Sequence, residues 1–292
     1  MQRLAYGLVY PILWLISILP FRLLYAFSDF LTFLIYHIVR YRRKTVVYNL
    51  SLAFPKKDEI ELKAIEKKFY KHFTDLFLET FKSLSISDKE LKKRFVIKNP
   101  EELERLESLQ KSYVILMGHY ASYEWVNALH FYGLSFKAYG VYKPIKNKYF
   151  DNLIKRIRSK YDTHMLASKS VPKKMLRNQQ AGTLASYGMV ADQSPKRKEA
   201  KHYVNFLHHE VPAFVGAEYI AERLDLSMTY LHVEKVKRGH YEAKFVPLSD
   251  EPQHVESYQI TDLYFKLLED QITKEPAYYL WTHKRWKHRL DK

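Results

Sequence analysis

The sequence has 292 residues, enough for one large α/β domain with a substantial core, or for two small ones. Lysines and arginines number 48 against 32 aspartates and glutamates, and the net charge of +16 calls for an anionic partner: nucleic acid, an acidic protein or a phospholipid surface. There is no cysteine, which excludes disulfides, thiolate metal sites and a thiol nucleophile, and the 24 tyrosines and 17 phenylalanines suit surfaces that are greasy on one side and wet on the other.

Leu4 to Phe21 is a run of 18 residues without a charge, and apolar character resumes from Leu23 to Val39, interrupted only by Arg22, Asp29 and His37. As a helix, the first run would reach about 27 Å, close to the hydrocarbon thickness of a bilayer, with Pro11 and Pro20 as points of kinking or ending. Arg40, Arg42, Arg43 and Lys44 follow directly, and the positive-inside tendency keeps them and everything after them in the cytoplasm. The expected division is therefore a membrane anchor over residues 1–39 and a catalytic domain over 40–292. A cleaved signal peptide is a weaker reading, because no small-residue cleavage site appears and the apolar region runs on too far. The same run could also form a buried core hairpin or a partly inserted, monotopic hairpin. Arg22 and Asp29 fit poorly in a second span and favour the monotopic form.

Between Lys56 and Leu84, Leu62, Ile65, Phe69, Phe73 and Leu76 recur at helical spacing, and Asp58 is placed to cap the helix. Short strands are predicted at Phe95–Ile97 and Tyr113–Met117 with a helix between them, then a strand at Phe136–Tyr142, a helix at Phe150–Tyr161 and a strand at Leu184–Ala191. A helix at Ala213–Leu224, a strand pair at Met228–Val236 and Tyr241–Val246, and a closing helix at Tyr258–Lys274 complete the pattern. Such alternation predicts an α/β fold: a mixed, mostly parallel sheet flanked by helices, with an N-terminal membrane-anchoring helix. With 8 glycines in all, no phosphate-cradling loop is present.

"GHYASYEW", Gly118 to Trp125, follows the apolar strand Tyr113–Met117. Gly118 is expected to let the chain turn, leaving His119 at the C-terminal edge of the sheet, where α/β folds build their sites. His119 and Glu124 meet only if His119 precedes a helix and Glu124 lies in its first turns. A carboxylate bonded to one ring nitrogen would fix the tautomer and make the other a better general base toward an alcohol. The plainer possibility is a local hydrogen bond without catalysis. His208, His209 and Glu210 offer possible metal ligands, but their spacing matches no zinc motif, and no metal is expected.

His119 and Glu124 on a basic, membrane-anchored α/β domain resemble the glycerolipid-type acyltransferases. "YNLSLAFP" (48–55), "GHYASYEW" (118–125), "VYKPIKN" (141–147), "ADQSP" (191–195) and "YLWTHKRWK" (279–287) come in the order found in the lipid A biosynthesis lauroyl/myristoyl acyltransferases and span almost the whole chain. The resemblance implies an inner-membrane enzyme, its catalytic side facing the cytoplasm. It would move a fatty acyl chain from acyl carrier protein, with no other cofactor, to a hydroxyl of a lipid A precursor.

Carried onto this sequence, the resemblance makes His119 the base and Glu124 its partner. Lys143, with Asn147 close behind, stands where the family usually has an arginine, keeping the charge and losing the bidentate fork, for contact with phosphate or oxyanion. Asp192 and Gln193 would contact the acceptor or orient the site. Ser122 and Tyr123 depart from the usual Asn-Trp pair and hint at a different acceptor. Against these stand plainer readings: a helix cap for Asp192, loop shaping by Tyr142 and Pro144, and a solvated basic terminus for the last block, set beside a role at headgroup phosphates. Lys169, Lys173, Lys174, Arg177, Lys196, Arg197, Lys198 and Lys201 would steer acyl carrier protein or an anionic lipid, or are ordinary surface. An enzyme acylating another membrane lipid, such as a lysophospholipid or aminolipid, is the runner-up. A membrane-tethered binding protein is the third reading; no nucleic acid motif is present.

Overall fold

A computed structural model describes residues 2–290 of the chain, so the first residue of the expected anchor and the last two of the expected catalytic domain lie outside it. Pro20 decides the architecture of the N-terminus. It disfavours helical backbone at Leu19, so helix α1 (Gln2–Ile18, with Pro11 inside it) stops there, and α2 (Phe21–Phe33) starts anew with Pro20 at its cap. The expected 18-residue run Leu4–Phe21 is therefore not one helix. Among the described residues, the stretch long and apolar enough to cross a membrane is Phe21–Val39, in which α2 continues through a π-helical turn at Leu34–Val39.

Helix α3 (Arg43–Ala53) leads to α4 (Glu59–Lys82), whose start is fixed by a capping box: Asp58 accepts from the Glu61 amide at 2.8 Å, and Glu61 accepts from the Asp58 amide at 3.1 Å. Its predicted apolar stripe faces inward, with Phe69 and Leu76 buried and Leu62, Ile65 and Phe73 packed against the core. A second, polar stripe on α4 binds α2. The Tyr25 hydroxyl donates to Glu79 at 2.8 Å, the Ser28 hydroxyl to Asp75 at 2.7 Å and the Tyr36 hydroxyl to Glu66 at 3.3 Å, while Thr32 bonds Thr74.

Beyond α5 (Asp88–Arg94) come strand β1 (Phe95–Ile97), α6 (Glu101–Ser108), β2 (Tyr113–Met117), β3 (Lys137–Tyr142), α7 (Lys148–Arg158), β4 (His164–Ala167), α8 (Val171–Gln180) and β5 (Ala185–Val190). A hairpin of β6 (Tyr203–Phe206) and β7 (His209–Pro212), α9 (Gly216–Leu224), β8 (Ser227–Lys237), β9 (His240–Ser249) and α10 (Gln259–Lys274) follow. Among the described residues the main sheet has seven strands, in the order β1-β9-β8-β2-β5-β3-β4, and every neighbouring pair is parallel except β8 with β9. It is the mixed, mostly parallel sheet that the alternation predicts. β2 lies mid-sheet with all five residues buried, as expected of an uninterrupted apolar run in a sheet covered on both faces.

The register of β2 with β5 places the site. Tyr113 pairs with Ser186 and Met117 with Val190, so the chain leaves both strands at the same level, and positions 119 and 192 emerge side by side. Gly118 serves a purpose other than the expected turn: a Cβ there would sit 2.5 Å from the Leu268 side chain of α10, which is completely buried. The left-handed residue of this loop is Ala121, at φ 48°.

Candidate active site

His119 stands two residues beyond β2 and Asp192 two residues beyond β5. The ring Nδ1–H of His119 donates to Asp192 Oδ1 at 2.6 Å, and the His119 backbone amide donates to the same oxygen at 3.2 Å. Asp192 is nearly sealed, its side chain 2% exposed, whereas the His119 side chain keeps 19%. Burial alone pushes the imidazolium pKa down, but the charge and hydrogen bond of Asp192, with a smaller push from Glu124, outweigh it and hold His119 above the ordinary histidine value. Burial pushes the Asp192 carboxyl up, and His119 more than reverses this, so the acid titrates below the usual carboxylate range. The result is a carboxylate that fixes the Nδ1–H tautomer and leaves Nε2 as the basic nitrogen. The Gln193 side-chain amide lies 3.3 Å from that nitrogen.

The expected bond between His119 and Glu124 is not the one formed. Glu124 does sit at the start of a helical segment, the 3₁₀ turn Trp125–Tyr132, with His119 ahead of it. Its two carboxylate oxygens are taken by Arg158, at 2.5 and 2.9 Å, in a bidentate pair. Glu124 therefore acts on His119 through charge alone. Arg158, at the end of α7, opposes it slightly by lowering the His119 pKa, so the guanidinium lies within electrostatic reach of the ring. Nothing in the spacing of the sequence singles out Arg158, because the topology of α7 and not a motif brings it here.

The other expected site residues divide. Asp192 caps no helix, since the segment after β5 is irregular and its carboxylate is occupied by His119. Asn147 does cap one: its side-chain oxygen accepts from the amides of Tyr149 and Phe150 at 3.0 and 3.4 Å and starts α7. Lys143 is exposed just past β3. Tyr142 is buried, its hydroxyl bonded to Asp151 at 3.4 Å.

The C-terminal block is not a solvated terminus. Trp281, Arg285 and Trp286 are fully buried, and Asn49 of α3 donates to the carbonyls of Trp281 and His283 at 2.8 and 2.7 Å. Burial holds the His283 pKa down to about 4, so that ring is neutral. The preceding residues clamp the histidine loop. Tyr120 and Tyr279 form an antiparallel bridge, the Leu280 amide donates to the His119 carbonyl at 3.1 Å, and the Ala121 amide donates to the Tyr278 carbonyl at 3.0 Å. These bonds hold Ala121 in its left-handed conformation, a local strain of the kind that collects at functional sites.

The ring of Tyr123 stands edge-on to that of His119, with centroids 4.9 Å apart. Tyr123 and Glu124 also line a cavity of about 190 Å³ whose other walls, from α4 and α7, are Phe73, Leu76, Phe77, Thr80, Phe81 and Ile154. An apolar slot thus ends at Tyr123, whose ring stands against the imidazole. Among the described residues, no three His, Asp or Glu side chains converge on a metal-sized site, and "HHE" is spread over the β6–β7 hairpin.

Two comparisons bear on this arrangement. The lipid A biosynthesis lauroyltransferase of Escherichia coli (strain K12) is 24% identical over 284 residues, covering 96% of this chain and 90% of that protein. The family model of the bacterial lipid A biosynthesis acyltransferases matches residues 2–288. With that match across nearly its full length, the chain belongs to the bacterial lipid A biosynthesis acyltransferase family.

Proposed function

We propose that the protein transfers a fatty acyl chain from an acyl carrier protein thioester to a hydroxyl of a lipid A precursor. It would act at the cytoplasmic face of the inner membrane, with His119 as general base. The observation that carries the reading is the 2.6 Å bond from His119 to the buried Asp192 beside an apolar slot. His119 Nε2 takes the proton of the acceptor hydroxyl as its oxygen attacks the thioester carbonyl. The tetrahedral intermediate collapses, the C–S bond breaks, and the leaving sulfur receives the proton from the imidazolium. The products are an ester and a free thiol. Asp192 stabilises the imidazolium in between, as a buried carboxylate does in triad chemistry.

Glu124 holds Arg158 in a fixed orientation, and that guanidinium, whose charge acts on the His119 ring, is the cation that would meet the oxyanion. Gln193 lies where the acceptor hydroxyl must approach, and positions it. Lys143, exposed and past the sheet edge, suits a phosphate of the acceptor better than the reacting carbonyl. The slot beneath Tyr123 takes the acyl chain, and the basic surface attracts the acidic carrier protein and anionic lipid.

The test is direct. Purified protein with a series of acyl carrier protein thioesters and a lipid A precursor should release free carrier thiol and give an acylated lipid A product by mass spectrometry. Acylation of lysophospholipid alone would overturn the acceptor. Because Thr80 lines the slot, Thr80→Phe should shift the preferred chain toward shorter acyl groups, lowering kcat/KM for the best substrate by roughly ten- to 200-fold, the worth of a methylene or so in an apolar pocket. An unchanged chain-length profile would place the acyl group elsewhere.

A further inference from the structure

Two apolar helices precede the basic cluster, and both are fastened along their lengths to the catalytic body. α2 runs antiparallel to α4: Tyr25 meets Glu79, Ser28 meets Asp75, Thr32 meets Thr74 and Tyr36 meets Glu66. The polar groups of this seam recur every three or four residues, on one face of α2 from end to end. Asp29, at the seam's border, is held by Arg238 at 2.7 Å and Lys71 at 3.4 Å, and Arg238 also binds Asp75 at 2.7 Å. The outer side of α4 carries Lys63, Lys67, Lys68 and Lys71, all exposed. α1 is tied by Lys82, whose ammonium donates to the carbonyls of Ser17 and Leu19 at 2.6 and 2.8 Å, and by Arg156, which donates to the Tyr10 hydroxyl at 2.9 Å.

The face of α2 opposite the seam is apolar and open: Leu23, Phe30, Phe33 and Ile38 are each more than half exposed. By length and composition Phe21–Val39 would pass as a membrane span. Its packing argues otherwise. A helix bound side by side to a lysine-studded helix over its whole length cannot cross the bilayer unless the partner crosses too or the seam opens. Opening the seam would take the Ser28, Tyr25 and Tyr36 hydroxyls from Asp75, Glu79 and Glu66, break Asp29 from Arg238 and Lys71, and send Asp29 into hydrocarbon. Exposed Arg22 stands at one end of α2, with exposed Arg40, Arg42 and Lys44 at the other. A span would carry Arg22 to the far side of the membrane, against the positive-inside tendency; a helix lying flat puts both groups on the headgroups of one leaflet.

The geometry points to a monotopic anchor: α1 and α2 lie within a single leaflet of an anionic phospholipid membrane, apolar faces among the acyl chains and polar seam toward the catalytic body. This posture rests on the membrane association proposed above and specifies its form. In either spanning arrangement the α1–α2 turn reaches the periplasm; in the monotopic one it stays on the cytoplasmic side.

The absence of native cysteine makes the test clean. The full chain carrying Arg22→Cys is expressed in bacteria, and spheroplasts are treated with a membrane-impermeant maleimide before and after permeabilisation, with Lys44→Cys as the cytoplasmic marker. The expected result is that Arg22→Cys behaves like Lys44→Cys, unlabelled in intact spheroplasts and labelled after permeabilisation. Labelling of Arg22→Cys in intact spheroplasts overturns the monotopic posture and leaves membrane association standing. Failure to label it under either condition, with Lys44→Cys labelled after permeabilisation, also overturns the monotopic posture, because a turn at the cytoplasmic headgroups is reachable once the membrane is opened. Recovery of the chain in the soluble fraction overturns membrane association itself.

Discussion

Asp192→Asn lowers kcat by roughly 10²- to 10⁴-fold while the protein stays folded, the range that positioned acid–base groups contribute. Asparagine keeps the size of the side chain and removes its charge. The His119 Nδ1–H then meets an amide that no longer stabilises the imidazolium, and the ring is freed to turn or to change tautomer. KM for the lipid acceptor should move little, because Asp192 is sealed behind the imidazole and touches no surface from which a substrate binds. A large rise in KM with kcat preserved would instead make Asp192 an acceptor-binding residue. Kinetics with the lipid and thioester concentrations varied separately distinguish the two.

The second large effect is at the base itself. His119→Ala should cost a comparable factor, roughly 10²- to 10⁴-fold in kcat. Combined with Asp192→Asn it should be no slower than the more damaged single variant, because a base and the carboxylate that serves it act as one unit. Additive losses in the double variant would mean that the two act independently. Folding can be followed alongside by circular dichroism. His119 is partly exposed at the end of a strand, and its truncation leaves no cavity in the main core.

Much of this fold is legible in local pattern. The strand Tyr113–Met117 is a run of buried apolar residues, and Asp58 marks the start of α4 as a cap, so both emerge with the predicted ends or close to them. β4, α8 and the β6–β7 hairpin carry weaker signals. β4 is four residues long and only half-buried, and the hairpin turns through Leu207 and His208 at positive φ, where a sequence reader looks for Gly or Asn. The polar seam between α2 and α4 escapes periodicity for another reason: in an apolar helix Tyr25, Ser28, Thr32 and Tyr36 look like tolerated exceptions until their partners, about fifty residues away in several cases, are known.

The site follows the same logic. His119 and Glu124 stand out because they share a short motif after a strand. Asp192 is 73 positions from His119, and only the β2–β5 register, Met117 beside Val190, makes them neighbours. Glu124 is near His119 in sequence, yet Arg158 binds it, since α7 delivers a cation whose bidentate geometry a nearby imidazole cannot match. Proximity along the chain therefore favours one acid, and topology supplies the other.

The most direct test is the pH dependence of kcat/KM for the wild type, Asp192→Asn and Glu124→Gln. Activity needs neutral His119, whose pKa is held above the ordinary histidine value mainly by Asp192, so the wild-type rate should fall as pH drops through a midpoint above about 6.5. Asp192→Asn should move that acid limb to lower pH, and Glu124→Gln should move it in the same direction by a smaller amount. An acid limb unmoved by Asp192→Asn and displaced by Glu124→Gln would contradict the account, returning the histidine to the glutamate of its own motif.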